Sequence, residues 1–240
     1  MDLAVHLRSA VCLLGRFPAL AGADLDVASG ETVLVRGANG AGKTTLLRAL
    51  AGLVPVVEGE AVVLGHDLRR DRRRLRRRVG LLGHASGLYD DLSVADNLRF
   101  WARAAGRPVP DTDPALARLG LAGRLADVPA ARLSAGQRRR VALAVLAVRA
   151  PELWLLDEPH AGLDAAGRDL LDDLVRSAAA QGATVVLASH ELDRAGSLAD
   201  RAVTLAGGRL VSDPSRSPGP LATTPPATTP PPEPEAVHVA

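Results

Sequence analysis

The chain has 240 residues, 47% of them hydrophobic and 23% charged, and its formal net charge of +2 identifies no partner by bulk electrostatics. Its single cysteine, Cys12, excludes an internal disulfide and with it a disulfide-stapled secreted fold, and reads as a small buried hydrophobe in a reducing compartment. No apolar run approaches the roughly 18 residues of a membrane helix, and "AVCLLG", with Asp2 and His6 before it and Arg16 and Pro18 after, makes a poor signal peptide, so the expected location is the cytoplasm.

Taken in chain order, the first 30 residues alternate weakly, as does "EAVVLGHDL" (Glu60 to Leu68), and both are predicted to build a small antiparallel β layer. "ETVLVRG" (Glu31 to Gly37) is a β-branched run closed by glycine, and the leucines of "KTTLLRALAGL" recur at helical spacing as far as Gly52. Strand, glycine loop, helix is the prediction there. "RRDRRRLRRR" (Arg69 to Arg78) carries eight arginines in ten residues. With no interleaved aromatic for base stacking and a near-balanced total charge, it reads as a solvated helix face, so no nucleic acid is expected. Contact with an anionic membrane surface is the second reading.

From about Gly83 to Ala150 the pattern turns helical: "SVADNLRFWARAAG" capped by Ser93, "PALARLG", and "SAGQRRRVALAVLAVRA" capped by Ser134. "ELWLLDE" (Glu152 to Glu158) and "ATVVLASH" (Ala183 to His190) are near-continuous apolar runs, as in strands covered on both faces of a parallel sheet. The helical "DAAGRDLLDDLVRSAAAQG" lies between them. The fold class is α/β: a P-loop core with a parallel sheet, a small antiparallel β layer and an inserted helical subdomain over about 83–150, all within 1–211. From 212 to 240 a Pro/Thr-rich tract is expected to be a disordered tail. No internal repeat is visible.

Gly37 to Thr44 fits G-x-x-x-x-G-K-[ST] where the mechanism needs it, after a strand and opening a helix. Gly37, Ala38, Asn39, Gly40, Ala41, Gly42, Lys43, Thr44 and Thr45 are the candidate cradle for ATP. Backbone N–H groups close around phosphate, the helix N-terminus adds positive potential, and the ammonium reaches the β and γ oxygens. Lys43 is the only lysine in the chain. A compact charge on a flexible stem fits this cradle where a planar guanidinium does not. Thr44 is expected to place its hydroxyl on Mg²⁺. Such a cradle serves kinases, GTPases, helicases and transporter motors alike.

Asp157 and Glu158 close a buried strand, where an α/β sheet binds ligands: Asp157 can hold Mg²⁺ through its water shell and Glu158 can polarise an attacking water. "LSAGQRRR" puts Ser134, Gly136 and Gln137 at a helix start, a second anion site with free amides. Here the chain resembles the ABC-family ATPases. "LSAGQRRRVALAVLAVRAPELWLLDEPHAGLD" is similar to that family from its signature, through the Walker B strand, to the D-loop at Ala161 to Asp164, with Ala135 in place of the usual second glycine.

The resemblance covers roughly residues 1 to 210. It implies that Lys43, Glu158 and His190 are catalytic, His190 as the switch histidine at the γ-phosphate. It further implies that the signature of one subunit, with Asp164, faces the phosphate loop of a second, so that hydrolysis requires a dimer, most simply a homodimer. Two positions depart from the family. His84 falls where a glutamine touches Mg²⁺ and the attacking water, and Leu14 falls where an aromatic stacks on adenine, leaving Phe17 as the nearest ring.

"GHASGLYDDLSVADNLRFWARAAG" resembles, within the family, the ATP-binding subunits of haem exporters used in cytochrome c maturation. The implied function is an ATP-hydrolysing subunit, peripheral on the inner face of the cell membrane, with a transmembrane permease docking near His84 to Phe100. A motor for drug, lipid or polysaccharide export is the alternative. Outside that class stand a soluble ABC ATPase acting on nucleic acid or ribosomes, and a regulator that binds nucleotide without turnover.

Overall fold

The computed structural model describes residues 2–108, 116–117 and 119–211. The expected tail at 212–240 and most of the expected helix "PALARLG" lie outside the described residues. β1 (Leu3–Leu14) and β2 (Phe17–Ala28) form a long antiparallel hairpin; β4 (Glu58–Val63) pairs with the other edge of β1, and β5 (His66–Asp67) completes the order β2-β1-β4-β5. The buried face of β1 is Val5, Leu7, Ala10 and Cys12, odd positions followed by even ones. Between them the register shifts, and Ser9 takes a φ of 46°. One extra residue reverses which side chains face inward, so this bulge keeps the apolar set on one side of the sheet.

The second sheet runs β10-β9-β3-β8-β7-β6. β3 (Thr32–Arg36), β7 (Leu153–Asp157) and β8 (Thr184–Ala188) are central and parallel, flanked by β6 (Val79–Leu82) and β9 (Arg201–Ala206), with β10 (Arg209–Val211) antiparallel at the edge. Alternation divides each central strand between two cores. Val33, Val35, Leu155 and Val186 face the first sheet across α1 (Lys43–Leu50), whose Leu46, Leu47 and Leu50 fill the space between the sheets. Leu34, Leu156, Val185 and Leu187 face the other way.

On that second face lie α3 (Ala135–Arg149) and α4 (Ala165–Ala180), through Leu143, Leu146, Leu171 and Val175. A third cluster joins α2 (Val94–Ala104) to α3 through Val94, Leu98, Val141 and Val145. One helix therefore forms the wall shared by the sheet and the helical region. α2 begins at Ser93, whose hydroxyl accepts from the Asp96 N–H at 3.1 Å, and buried Asn97 pins the preceding turn by accepting from the Tyr89 N–H at 2.8 Å.

One expectation is refined, and three strands add to the elements expected. The arginine-rich stretch is a solvated helical face as expected, but as a 3-10 helix, Arg72–Arg77, with its five arginines exposed and Leu75 as the one apolar side chain that anchors it. The strands β6, β9 and β10 carry no clear sequence signal, the first being four residues long and the second only half-buried.

Candidate functional site

A cleft of about 330 Å³ opens where β3, β7 and β8 end, lined by Leu14, Ala19, the stretch Asn39 to Thr45, Asp157, Glu158 and His190. Two glycines explain how the loop closes. Gly37 has a φ of 151°, and a Cβ there would sit 2.3 Å from the Leu205 carbonyl oxygen; at Gly42, φ 107°, it would sit 2.4 Å from that of Ala19. The loop is thus pressed against β9 and β2 with no room for a side chain. Gly42 also caps α1 without a side-chain hydrogen bond, which leaves first-turn amides free for an anion.

Lys43 is buried, and its ammonium donates to the carbonyl oxygens of Gly37 at 2.7 Å and Ala38 at 3.1 Å. The two carbonyls hold the charge inside the loop with a third proton to give. Across the cleft, Glu158 has a φ of 46°, a left-handed conformation that costs of order 1–3 kcal/mol for a residue other than glycine. Its N–H donates to the Ala188 carbonyl at 2.8 Å, and its Oε2 accepts from the His190 N–H at 3.1 Å. His190 Nε2 lies 3.1 Å from Oε1, within ion-pair distance, and Oε1 is buried with no hydrogen bond of its own.

Thr44 and Asp157 line the same cleft and supply oxygen, the donor type Mg²⁺ takes, so the donor set fits that ion. Two expected residues are not brought there. His84 is exposed and outside the cleft, because β6 is the outermost strand, one place beyond the β7 that delivers Asp157. Phe17 is turned to solvent at the tip of the β1–β2 hairpin, 79% exposed, and Leu14 lines the cleft in its place.

Ser134, Gly136, Gln137 and Asp164 also lie outside this cleft, at the start of α3 and α4. Ser134 and Gln137 form a reciprocal capping box: the Ser134 hydroxyl accepts from the Gln137 N–H at 3.2 Å, and Gln137 Oε1 accepts from the Ser134 N–H at 2.9 Å. Asp164 caps α4 through the Gly167 N–H at 2.9 Å and takes two bonds from Arg140, at 2.5 and 2.7 Å. The Arg140 guanidinium beside it, with that amide, holds its carboxyl below the usual carboxylate range.

Two features of the site escaped sequence reasoning. Arg139 reaches the backbone of the Asp157–Pro159 segment, and its neighbours Arg138 and Arg140 offer no signal to tell it apart. His160, buried, donates from Nε2 to Asp172 at 2.8 Å, and Asp172 in turn accepts from Arg194 at 2.6 Å, just beyond the His190 loop.

A family model described as ABC transporter matches residues 20–161. The cytochrome c biogenesis ATP-binding export protein CcmA 2 of Cupriavidus metallidurans is 46% identical over 173 residues, 71% of this chain and 81% of that one. The cytochrome c biogenesis ATP-binding export protein CcmA of Bordetella bronchiseptica is 44% identical over 191 residues, 79% of this chain and 85% of that one. Among solved structures, an ATP-binding subunit of an ABC transporter matches with a TM-score of 0.79 at 26% identity, covering 86% of this chain and 88% of that one.

Proposed function

Since the chain belongs to the ABC transporter family, as one of its ATP-binding proteins, we propose that it hydrolyses ATP to power an export step in cytochrome c biogenesis, with haem as the cargo. The observation that carries the hydrolytic reading is the single cleft that joins the Lys43–Thr44 loop to Asp157, Glu158 and His190.

In this reading the Gly37–Thr45 amides and Lys43 bind the β and γ phosphates, and Lys43 exchanges its two loop carbonyls for phosphate oxygens. Mg²⁺, held by Thr44 and Asp157, supplies neutralisation of the phosphate charge. Glu158 orients the attacking water and draws its proton, and His190, 3.1 Å from its carboxylate, meets the γ-phosphoryl group. The Ser134 hydroxyl, whose own proton the capping box leaves free, and the Gly136 amide complete the shell of a second copy's nucleotide, which makes the working unit a head-to-tail dimer. Residues 1–211 serve as the ATPase unit and about 83–150 as its helical part.

No helix among the described residues is long and apolar enough to cross a membrane, so transport needs a membrane partner. A groove lined by Leu92, Asp96, Arg99, Phe100, Arg103 and Ala104 supports docking near His84 to Phe100. Beside it Tyr89, Phe100 and Trp101 stack edge to face or tilted, with centroids 4.6 to 6.1 Å apart. Three of the chain's five aromatic residues are gathered there, which suits an apolar partner helix. The protein then sits on the inner face of the cell membrane.

Glu158→Gln is expected to bind ATP normally while hydrolysis falls about a hundredfold or more; hydrolysis at the parental rate would remove Glu158 from its role. For the cargo, cells lacking the chain should lose covalently haem-bearing c-type cytochromes and regain them with the parental chain but not with Glu158→Gln. Normal c-type cytochromes in its absence would overturn the haem assignment and leave the ATPase standing.

A further inference from the structure

Among the three consecutive arginines of α3, Arg139 is the one whose bonds all end on main-chain oxygens. Nη2 donates to the carbonyls of Asp157 at 3.1 Å and Glu158 at 2.9 Å; Nη1 donates to Gly83 at 2.5 Å, and Nε faces Pro159 at 3.4 Å. A single planar fork thus gathers the carbonyls on both sides of the Glu158 α-carbon together with the residue before His84. Only guanidinium has enough fixed donors for that set; a lysine ammonium is a point charge that cannot span it. Burial in this position pushes the guanidinium's proton affinity down, with Asp157 opposing the shift, yet an arginine remains charged in any case.

Glu158 holds its left-handed φ of 46° without being glycine. Such a conformation persists only where the surroundings over-determine it. The β8 side supplies one constraint, the Ala188 carbonyl that accepts the Glu158 N–H at 2.8 Å. Arg139 supplies the other, from the opposite side of the same residue. We propose that Arg139 is a positioning residue which locks the Glu158 backbone in its strained conformation and so aims the carboxylate into the cleft toward His190. The inference rests on the hydrolytic role of Glu158 given above. It assigns Arg139 no contact with nucleotide, because Arg139 does not line the cleft and all its bonds end on the Gly83 and Asp157–Pro159 carbonyls.

The lock acts on one step and leaves the other alone. Without it, the Glu158 peptide relaxes toward ordinary φ, the carboxylate moves by a fraction of its own length, and hydrolysis suffers while the phosphate cradle does not. The full-length chain tests this with Arg139→Met, which keeps the stem and removes the fork, and Arg139→Lys, which restores a cation and one or two of the bonds. For Arg139→Met, kcat is expected to fall about tenfold to a hundredfold with the Kd for ATP within about threefold of the parental value, because the cradle amides are intact. Arg139→Lys is expected to recover part of kcat. The inference is overturned by an Arg139→Met chain whose kcat stays within about twofold of parental. It is equally overturned if kcat, ATP affinity and thermal stability collapse together and Arg139→Lys does no better, since the side chain would then merely hold the fold. Glu158→Gln run alongside separates the two levels of the argument: if that variant hydrolyses ATP normally, the premise fails, whereas an inert Glu158→Gln beside a fully active Arg139→Met defeats this inference alone.

Discussion

Side chains of one chemical type are given unlike tasks along α3. Arg138 donates to the Ala130 carbonyl at 2.8 Å and pairs with Asp90 at 2.7 Å, Arg139 grips the Asp157–Pro159 backbone, and Arg140 holds Asp164. In sequence the three letters are identical, and only helical rotation, about 100° per residue, sends them to three neighbours. The phosphate loop is the opposite case: its groups are consecutive, so a pattern of nine residues contains the whole cradle and is legible before any fold is known. His84 and Phe17 lie outside the cleft for different local reasons: His84 follows the edge strand β6, and Phe17 turns to solvent opposite Leu14 in the β1–β2 hairpin. Leu14 carries a consequence of its own. It lines the cleft and offers an aliphatic surface where a ring would stack on the base. A base–aromatic stack contributes about 1–3 kcal/mol, so Leu14→Tyr is expected to lower the KM for ATP about tenfold with little change in kcat. Steady-state kinetics at varied ATP will decide it; an unchanged KM would mean that the base does not lie over this position.

Strands and helices announce themselves in proportion to how many of their faces are buried. β3, β7 and β8 are covered on both sides and read as unbroken apolar runs, whereas β6 has four residues and β9 exposes alternate side chains at the sheet's margin, so neither stands out from a loop. Two helix starts were legible through chemistry alone, Ser93 and Ser134, and Asp164 caps α4 in the same way; each accepts from an amide three residues on. The bulge in β1 was not, since nothing about Ser9 as a letter marks a left-handed residue. β4 adapts to that bulge. Gly59 crosses it with a φ of 81°, and a Cβ there would lie 2.3 Å from the Ser9 carbonyl oxygen and 2.4 Å from that of Arg8, both backbone atoms that cannot swing aside. Gly59→Ala is therefore expected to destabilise the chain by about 1–3 kcal/mol and to leave the kinetic constants of the folded protein unaltered. Denaturant midpoints measured beside ATPase rates will separate the two effects, and an unshifted midpoint would mean that β1 and β4 part at no cost.

At the scale of the molecule, the two helix starts proposed to bind anions lie on different parts of one chain. The Lys43 loop opens beside β3, and the capped start of α3 at Ser134 lines no part of that cleft. α3 is braced against the sheet by Leu143 and Leu146 and against α2 by Val141 and Val145, so bending Ser134 onto its own nucleotide would break two cores at once. A second copy meets the requirement without that cost, and two-fold pairing then gives two equivalent sites, each with Lys43 from one chain and Ser134 from the other. Complementation follows from this arrangement. Lys43→Ala and Ser134→Arg chains are each expected to be inactive alone. Mixed in equal amounts with free exchange, half the dimers are hybrids, and each hybrid holds one intact site, Lys43 of the Ser134→Arg chain facing Ser134 of the Lys43→Ala chain. If the sites act independently, the mixture recovers about a quarter of the parental rate. If closure needs both sites filled, the recovery is smaller but still rises with mixing. No recovery from two chains shown to exchange would mean that each subunit completes its own site, and Ser134 would then lose its assignment to the nucleotide.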